Sequence, residues 1–375
     1  MRQRRGAAPV LLLVYHREWL EDIAFAWNVL ADVAGSGGWE VVVATWGALD
    51  IEGRDVTAVG AHHRRPFAQA TTPDVTVTVD PDVVWTPWGV DGEHWDVFFA
   101  LVEGRHHTES PFLSEVDDKA ALEVCLREYE AHSGRRVARP LTLLPDERLA
   151  DSPLADHARV IVKPVRGGKC EGIEIVDPAT LEGHLREAAR GERHPFVVQE
   201  LVDDVFLHEG RRWDVRYYAG AVSLVPLRCS AYREGIVRIA GARDGDGLAG
   251  WLTGGSFRGG RGMEIWDMHL SEMWHEVELR NGPIPGMWEQ VEELVRDVFA
   301  AVARRARRSP AVRHTLCLGG FDLIVERTGE GCCVKLLEIN SHPGMFEWDP
   351  ALNPPMLPAF ATWFRDVADV VAATP

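Results

Sequence analysis

The sequence has no CxxC pair, no apolar run near the roughly twenty residues that cross a bilayer, no internal repeat and no excess of base. Its six cysteines, at positions 125, 170, 229, 317, 332 and 333, are scattered, a usage that fits a reducing cytoplasm. Forty Lys and Arg stand against 57 Asp and Glu, a formal charge of −17. That balance repels a phosphate backbone, so nucleic acid is not an expected partner. The one dense basic run, Arg304-Arg305-Ala306-Arg307-Arg308, reads as cations closing a helix, where the macrodipole favours them. Residues 1–5 are basic and residues 10–14 apolar, which imitates a secretory signal. The apolar run is too short, however, and Tyr15-His16-Arg17-Glu18 ends it without a small-residue cleavage site. It reads as a buried strand, and no membrane partner is expected. Without repeats, solenoid and propeller folds drop out.

What is present is a foldable chain. Its 46% hydrophobic and 26% charged residues lie far from the disordered regime, and 375 residues are enough for two or three packed units. A homo-oligomer is compatible with this composition.

The first hundred residues alternate short apolar runs (10–14, 40–45, 75–79, 82–85) with a helical pattern over 20–33, the order of a parallel α/β layer. Residues 114–129 have a helix signature, with Ser114 as candidate N-cap. From residue 159 the pattern changes to strand, glycine-rich turn, strand, with 160–164 and 172–176 flanking Arg166-Gly167-Gly168-Lys169. A helix over 179–190 and strands over 196–200, 212–219, 221–229 and 234–239 follow. Residues 241–262 are dense in glycine. A helix over 287–307, strands over 320–326 and 334–340 and a C-terminal helix over 357–371 complete the chain.

Placing the turn between the last two strands near Glu330 sets Asp322 across from Glu338, each eight residues away, and period-two alternation adds Asn340 to the face of Glu338. Two carboxylates about 5 Å apart repel by roughly 3 kcal/mol at an effective dielectric near 20, so a cation is expected between them. Two carboxylates and an amide oxygen form a hard oxygen set of the kind magnesium uses when phosphates and water complete its shell. Lys163 ends an apolar strand at the mouth of the glycine loop. There Gly167 and Gly168 let the backbone approach an anion, and Lys169 adds a point charge. The strand end Gln199-Glu200-Leu201-Val202 offers backbone donors and acceptors to an adenine. Asp214 and Arg216 share one strand face and Arg233 precedes the next strand. Arginines so placed can neutralise a transferring phosphoryl group, and an Asp214–Arg216 ion pair is an equal reading.

Taken in order, Val162-Lys163-Pro164 with Arg166-Gly167-Gly168-Lys169, Val198-Gln199-Glu200-Leu201, Trp213-Asp214-Val215-Arg216-Tyr217, Tyr232-Arg233-Glu234-Gly235, Leu252-Thr253, Gly320-Phe321-Asp322 and Leu337-Glu338-Ile339-Asn340-Ser341-His342-Pro343 resemble the ATP-grasp superfamily, within it the tubulin tyrosine ligase-like branch. The resemblance spans roughly residues 115–345. It implies an α/β and α+β fold in three parts: an N-terminal α/β domain at 1–110, a small subdomain with the glycine loop at 111–198, and a C-terminal subdomain with the metal site at 199–375. It also implies that Lys119 and Lys163 contact the nucleotide, that residues 199–202 form the adenine hinge, and that Asp322, Glu338 and Asn340 hold Mg2+. Arg216 and Arg233 are then expected to hold phosphate or a substrate carboxylate, with Asp214 and Thr253 beside the nucleotide.

The function implied is an ATP- and Mg2+-dependent ligase that activates a carboxylate as an acyl phosphate and joins it to the amine of an amino acid or peptide. A kinase acting on an alcohol and a silent nucleotide-binding regulator are the alternatives. The branch usually follows its Leu-Thr with Asn, whereas here Leu252-Thr253 is followed by Gly254-Gly255. No basic surface for acidic protein tails is evident either. His342 reads as a satisfied loop histidine or as a group facing the acceptor.

Overall fold

A computed structural model describes residues 8–15, 38–64, 75–86, 90, 92–109, 115–168, 170–189, 194–253, 268–307, 312, 314–329, 331–343 and 357–373. The helical pattern over 20–33, Ser114, Lys169 and residues 254–262 of the glycine-dense stretch lie outside them.

The first sheet is built from β1 (Val10–Tyr15), β2 (Glu40–Thr45), β3 (Leu49–Glu52), β4 (Asp55–Arg64), β5 (Val75–Val79), β6 (Val83–Trp85) and, after helix α1 (Trp95–Val102), β7 (His106–His107). β1 runs parallel to both β2 and β6, and β6 parallel to β7. This centre is the expected parallel layer. Around it, however, β4 pairs antiparallel with β2, β3 and β5, so the sheet is mixed. Continuous apolar sequence in β1 follows from burial on both faces: Leu12 and Val14 pack toward Phe98 and Leu101 of α1, and Leu11 and Leu13 toward Trp363 and Phe364.

Helix α2 (Lys119–Ser133) begins at Asp118, whose Oδ1 accepts from the N–H groups of Ala120 and Ala121 at 3.0 and 3.1 Å, and ends at Gly134 with φ 70°. The cap is therefore Asp118, not Ser114. Four strands form the next sheet, in the order β10-β9-β11-β8: β8 (Thr142–Leu143), β9 (Val160–Pro164), β10 (Glu174–Val176) and β11 (Phe196–Glu200), with helix α3 (Pro178–Ala189) between the last two. Val160, Val162, Phe196 and Val198 bury one face with Leu181 of α3. By alternation Lys163 and Gln199 belong to the other face.

The third sheet has the order β14-β13-β12-β15-β16. Here β12 (Trp213–Leu224) and β13 (Leu227–Ile239) are two long strands, where three shorter ones are expected from the sequence. Gly220 does not break β12, because Trp363 lies on it: a Cβ at that position would sit 2.3 Å from the Trp363 ring. The chain turns at Val225–Pro226 instead. Helix α4 (Leu248–Trp251), β14 (Met268–His269), α5 (Leu270–Asn281) and α6 (Met287–Ala306) precede β15 (Cys317–Thr328) and β16 (Gly331–Asn340), and α7 (Leu357–Ala373) ends the chain.

Trp213, Val215 and Tyr217 of β12 pack with α2, α5 and α6 on one side of this sheet. On the other side Tyr218, Val222 and Leu318 meet α7 and the first sheet. Asp214, Arg216, Arg238 and Asp322 alternate onto that second face, beyond the part that α7 covers. Packing thus places α2 with the third sheet and α7 at the seam with the first. The basic run is used in this packing: Arg304 reaches Glu128 at 3.7 Å and Arg305 reaches Glu115 at 3.5 Å. No helix among the described residues is long and apolar enough to cross a membrane.

Candidate active site

Across the third sheet the ladder aligns Arg238 with Asp214, Arg216 with Asp322, and Asp322 with Glu338. The pairing of the last two is the one expected from the sequence. It arises differently, since the turn pairs Thr328 with Gly331 and a bulge lies between Asp322 and Leu323, leaving Leu337 as the extra residue. Bulges re-aim side chains in this way. Val334, Leu336 and Ile339 are buried in the core, while Glu338 and Asn340 alternate outward on the site face.

Arg216 Nε donates to Asp322 Oδ1 at 2.5 Å and its Nη2 to Oδ2 at 3.2 Å. Arg238, which sequence reasoning missed, donates to both oxygens of Asp214 at 2.7 and 2.8 Å and lies 3.1 Å from Asp322 Oδ2. The Asp214–Arg216 pair therefore does not form; each residue takes its cross-strand neighbour. Burial alone would raise the Asp322 pKa, but the two guanidiniums outweigh it and hold this carboxyl well below the usual carboxylate range. Thr253 Oγ1 donates to Asp214 Oδ2 at 2.6 Å and so joins the same network.

Two lysines reach the same cluster, Lys163 from β9 of the second sheet and Lys119 from the start of α2. Lys119 Nζ lies 3.0 Å from Glu338 Oε2 and donates to Gly167 O at 3.2 Å. Lys163 is buried, which pushes its ammonium pKa down; Glu338 and Asp322 are near enough to oppose that, while Lys119 adds to it. Gly167 takes φ 125°, a conformation that favours glycine, and Gly168 is exposed beside it. Lys169 lies outside the described residues.

At the hinge, Gln199 Nε2 donates to Thr142 Oγ1 at 3.0 Å. The N–H of Glu200 goes to Leu141 O at 2.8 Å, its carboxylate accepts from Leu141 N at 3.0 Å, and Lys335 lies 3.4 Å away. The Val202 carbonyl is taken by Arg212 Nη1 at 2.6 Å and the Asp203 carbonyl by Nη2 at 2.9 Å. Of the expected adenine edge, this leaves the backbone groups of Leu201 and the N–H of Val202 bonded to no described residue. Arg233 is not brought to the cluster. It is largely exposed and pairs with Glu292 of α6 at 2.8 Å.

A second network escaped sequence reasoning except at His342. Ser341 gives its N–H to Asp117 Oδ1 at 2.6 Å and its hydroxyl to Oδ2 at 2.5 Å. His342 Nδ1 lies 2.9 Å from Ser341 Oγ and Nε2 2.5 Å from Glu109 Oε2. Burial lowers the His342 pKa, but the Glu109 carboxylate outweighs it and the net shift is upward. His342 is thus a satisfied histidine. Arg238 had a findable signal, because Asp214 and Arg238 are equally distant from Pro226.

The donor set admits a divalent cation. Among the described residues no three His, Cys, Asp or Glu side chains gather as a metal cluster, so a soft or all-protein site is absent there. The buried Nδ2 of Asn340 finds no partner, and turning the amide by half a turn puts its oxygen in that place. With Asp322 and Glu338 this makes a three-oxygen hard set suited to Mg2+ shared with phosphates, and the residues present fit it.

An N-terminal α/β sheet followed by two α+β layers, one bearing buried Lys163 and a glycine loop and the other a group of carboxylates, is an ATP-grasp-like architecture. Residues 106–371 match the tubulin-tyrosine ligase family, and the chain belongs to that family. It is similar to the probable tubulin polyglutamylase ttll-9 of Caenorhabditis elegans, 33% identical over 85 residues, 22% of this chain and 20% of that protein. It is equally similar to the tubulin polyglutamylase TTLL7 of Mus musculus, 33% identical over 82 residues, 21% of this chain and 8% of that one. The matched stretches thus span a small part of either relative.

Proposed function

We propose that the chain is an ATP-dependent carboxylate–amine ligase. The observation that carries this reading is the cluster of Arg238, Asp214, Arg216, Asp322 and Glu338 on one sheet, met by Lys163 of the second sheet and Lys119 at the start of α2. Buried cations beside buried carboxylates are of little use to a passive core and suit a polyphosphate.

Lys163 and Lys119 would take the phosphates of ATP, with Leu201 presenting its backbone to the adenine. Asp322, Glu338 and Asn340 would hold Mg2+, which when bound offsets phosphate charge. Arg216, paired with Asp322, would position and neutralise the carboxylate and the γ-phosphate rather than react. A carboxylate oxygen attacks the γ-phosphorus and ADP leaves. The amine nitrogen then attacks the acyl carbon, the carbon–oxygen bond to phosphate breaks, and the amine proton is lost to solvent.

The relatives' names point to glutamate addition on tubulin. Here the charge of −17 disfavours an acidic tail, and a small carboxylate or a neutral or cationic peptide suits the chain better. The test is ADP release across pooled carboxylates and amines, with mass spectrometry of the product. An amide that appears only when ATP, acid and amine are all present, and that Glu338→Gln lowers by orders of magnitude without unfolding, supports the reading. A phosphorylated alcohol, or nucleotide binding without turnover, replaces it.

A further inference from the structure

Three consecutive residues, Asp117, Asp118 and Lys119, touch both the glycine loop and the Glu338–Ser341 strand end. Asp117 grips Ser341, the residue after Asn340, through backbone and hydroxyl at 2.6 and 2.5 Å. Asp118 caps α2 and its Oδ2 accepts from Arg166 Nε of the glycine loop at 3.1 Å. Lys119 donates its backbone N–H to Val165 O at 2.9 Å, while its side chain bridges Gly167 O and Glu338. On the far side of Ser341, His342 is fixed by the buried Glu109. Pro343 then lies on Gly320, where a Cβ would meet it at 2.7 Å and Arg216 at 2.9 Å.

Only Lys119 of these three is expected to touch a ligand. Asp117 is instead a carboxylate committed to holding a strand end. Both its oxygens are used by one residue, and that residue directly follows an Asn whose amide has no other restraint among the described residues. A side-chain amide with a free rotor binds a cation poorly, because its orientation must be fixed on binding. The Asp117–Ser341 bonds fix the backbone from which that amide projects, one step behind the partners bonded directly to a metal ligand, whose loss typically costs about 10- to 100-fold in metal affinity.

We propose that Asp117, acting through Ser341, is a positioning residue that presents Asn340 to the divalent cation, and that residues 117–119 couple the glycine loop to the Glu338–Asn340 strand end. This rests on the ligase reading for the presence of the cation. Asp117 itself touches neither nucleotide nor metal.

The test titrates Mn2+ into the full chain with a saturating non-hydrolysable ATP analogue, reading free Mn2+ by electron paramagnetic resonance. Asp117→Ala and Ser341→Ala should each weaken Mn2+ by about tenfold or more, Ser341→Thr should stay close to wild type, and the affinity for the analogue in EDTA should not change in any of them. Wild-type Mn2+ affinity in both alanine variants, even with a lowered melting temperature, would mean that the grip only braces the fold, and would overturn the proposal while leaving the metal site intact. If the wild-type chain with analogue takes up no Mn2+, the metal assignment falls, and this inference falls with it.

Discussion

Arg216 and Asp322 are direct neighbours across β12 and β15, joined at 2.5 Å, and the carboxylate is shared with Arg238 at 3.1 Å. One buried anion thus holds two partly buried cations at the centre of the cluster.

Asp322→Asn leaves both guanidiniums undercompensated, and breaking a buried pair of this kind costs about 3–5 kcal/mol. The folded pKa of Asp322 is depressed, so its contribution is present above the unfolded value near 3.9 and is lost as pH falls toward the folded one. Urea unfolding should show a large deficit at neutral pH that narrows below about pH 4. An equal deficit at both ends would show that Asp322 is not stabilising as the anion.

Lys163 shows the same pH slope but costs stability at neutral pH, where the buried group is the charged form. Its folded pKa is lowered by burial, so near pH 10 the unfolded chain binds more protons and stability rises with pH through the window between the folded and unfolded values. Lys163→Met should remove that slope, keep or raise the melting temperature without nucleotide, and weaken ATP in calorimetry. Unchanged ATP affinity would remove Lys163 from the nucleotide site.

Gly220→Ala places a methyl carbon 2.3 Å from Trp363, and overpacking of that kind costs about 1–3 kcal/mol. The denaturation midpoint should fall and should recover partly when Trp363 is replaced by Leu. A neutral Gly220→Ala would mean that α7 does not sit firmly on the sheet.

Arg212 holds the carbonyls of Val202 and Asp203, and its guanidinium lies 3.7 Å from the centroid of the Trp251 ring. Lysine cannot reproduce that fork. Arg212→Lys should raise the KM for ATP while leaving kcat nearly unchanged; a loss confined to kcat would place Arg212 in the chemistry rather than behind the hinge.

The strands were legible where composition and period agree. The apolar run of β1, the glycine turn after β9 and the facing of Asp322 and Glu338 could all be read from residue order. The last came from a turn centre half a residue off, compensated by the bulge at Leu337, which periodicity cannot show. What stayed hidden depends on distant partners. Gly220 looks like a strand break until Trp363 covers it, Arg238 looks like a surface residue until β12 and β13 run unbroken, and the Asp117–Ser341 grip joins residues more than two hundred positions apart. Arg233 looked like a phosphate ligand by position, yet the irregular pairing between Tyr217 and Ala219 lies opposite it, and its side chain reaches α6.

The central claim is that a carboxylate is activated by phosphoryl transfer before the amine enters. With the acid and amine found by product screening, the acid is supplied with its carboxylate oxygens as 18O and the released inorganic phosphate is analysed by mass spectrometry. Passage through an acyl phosphate transfers one 18O from the acid to each phosphate formed, and the amide retains the other. Amide formed together with phosphate free of 18O, the displaced oxygen appearing in water or in AMP instead, would contradict the account.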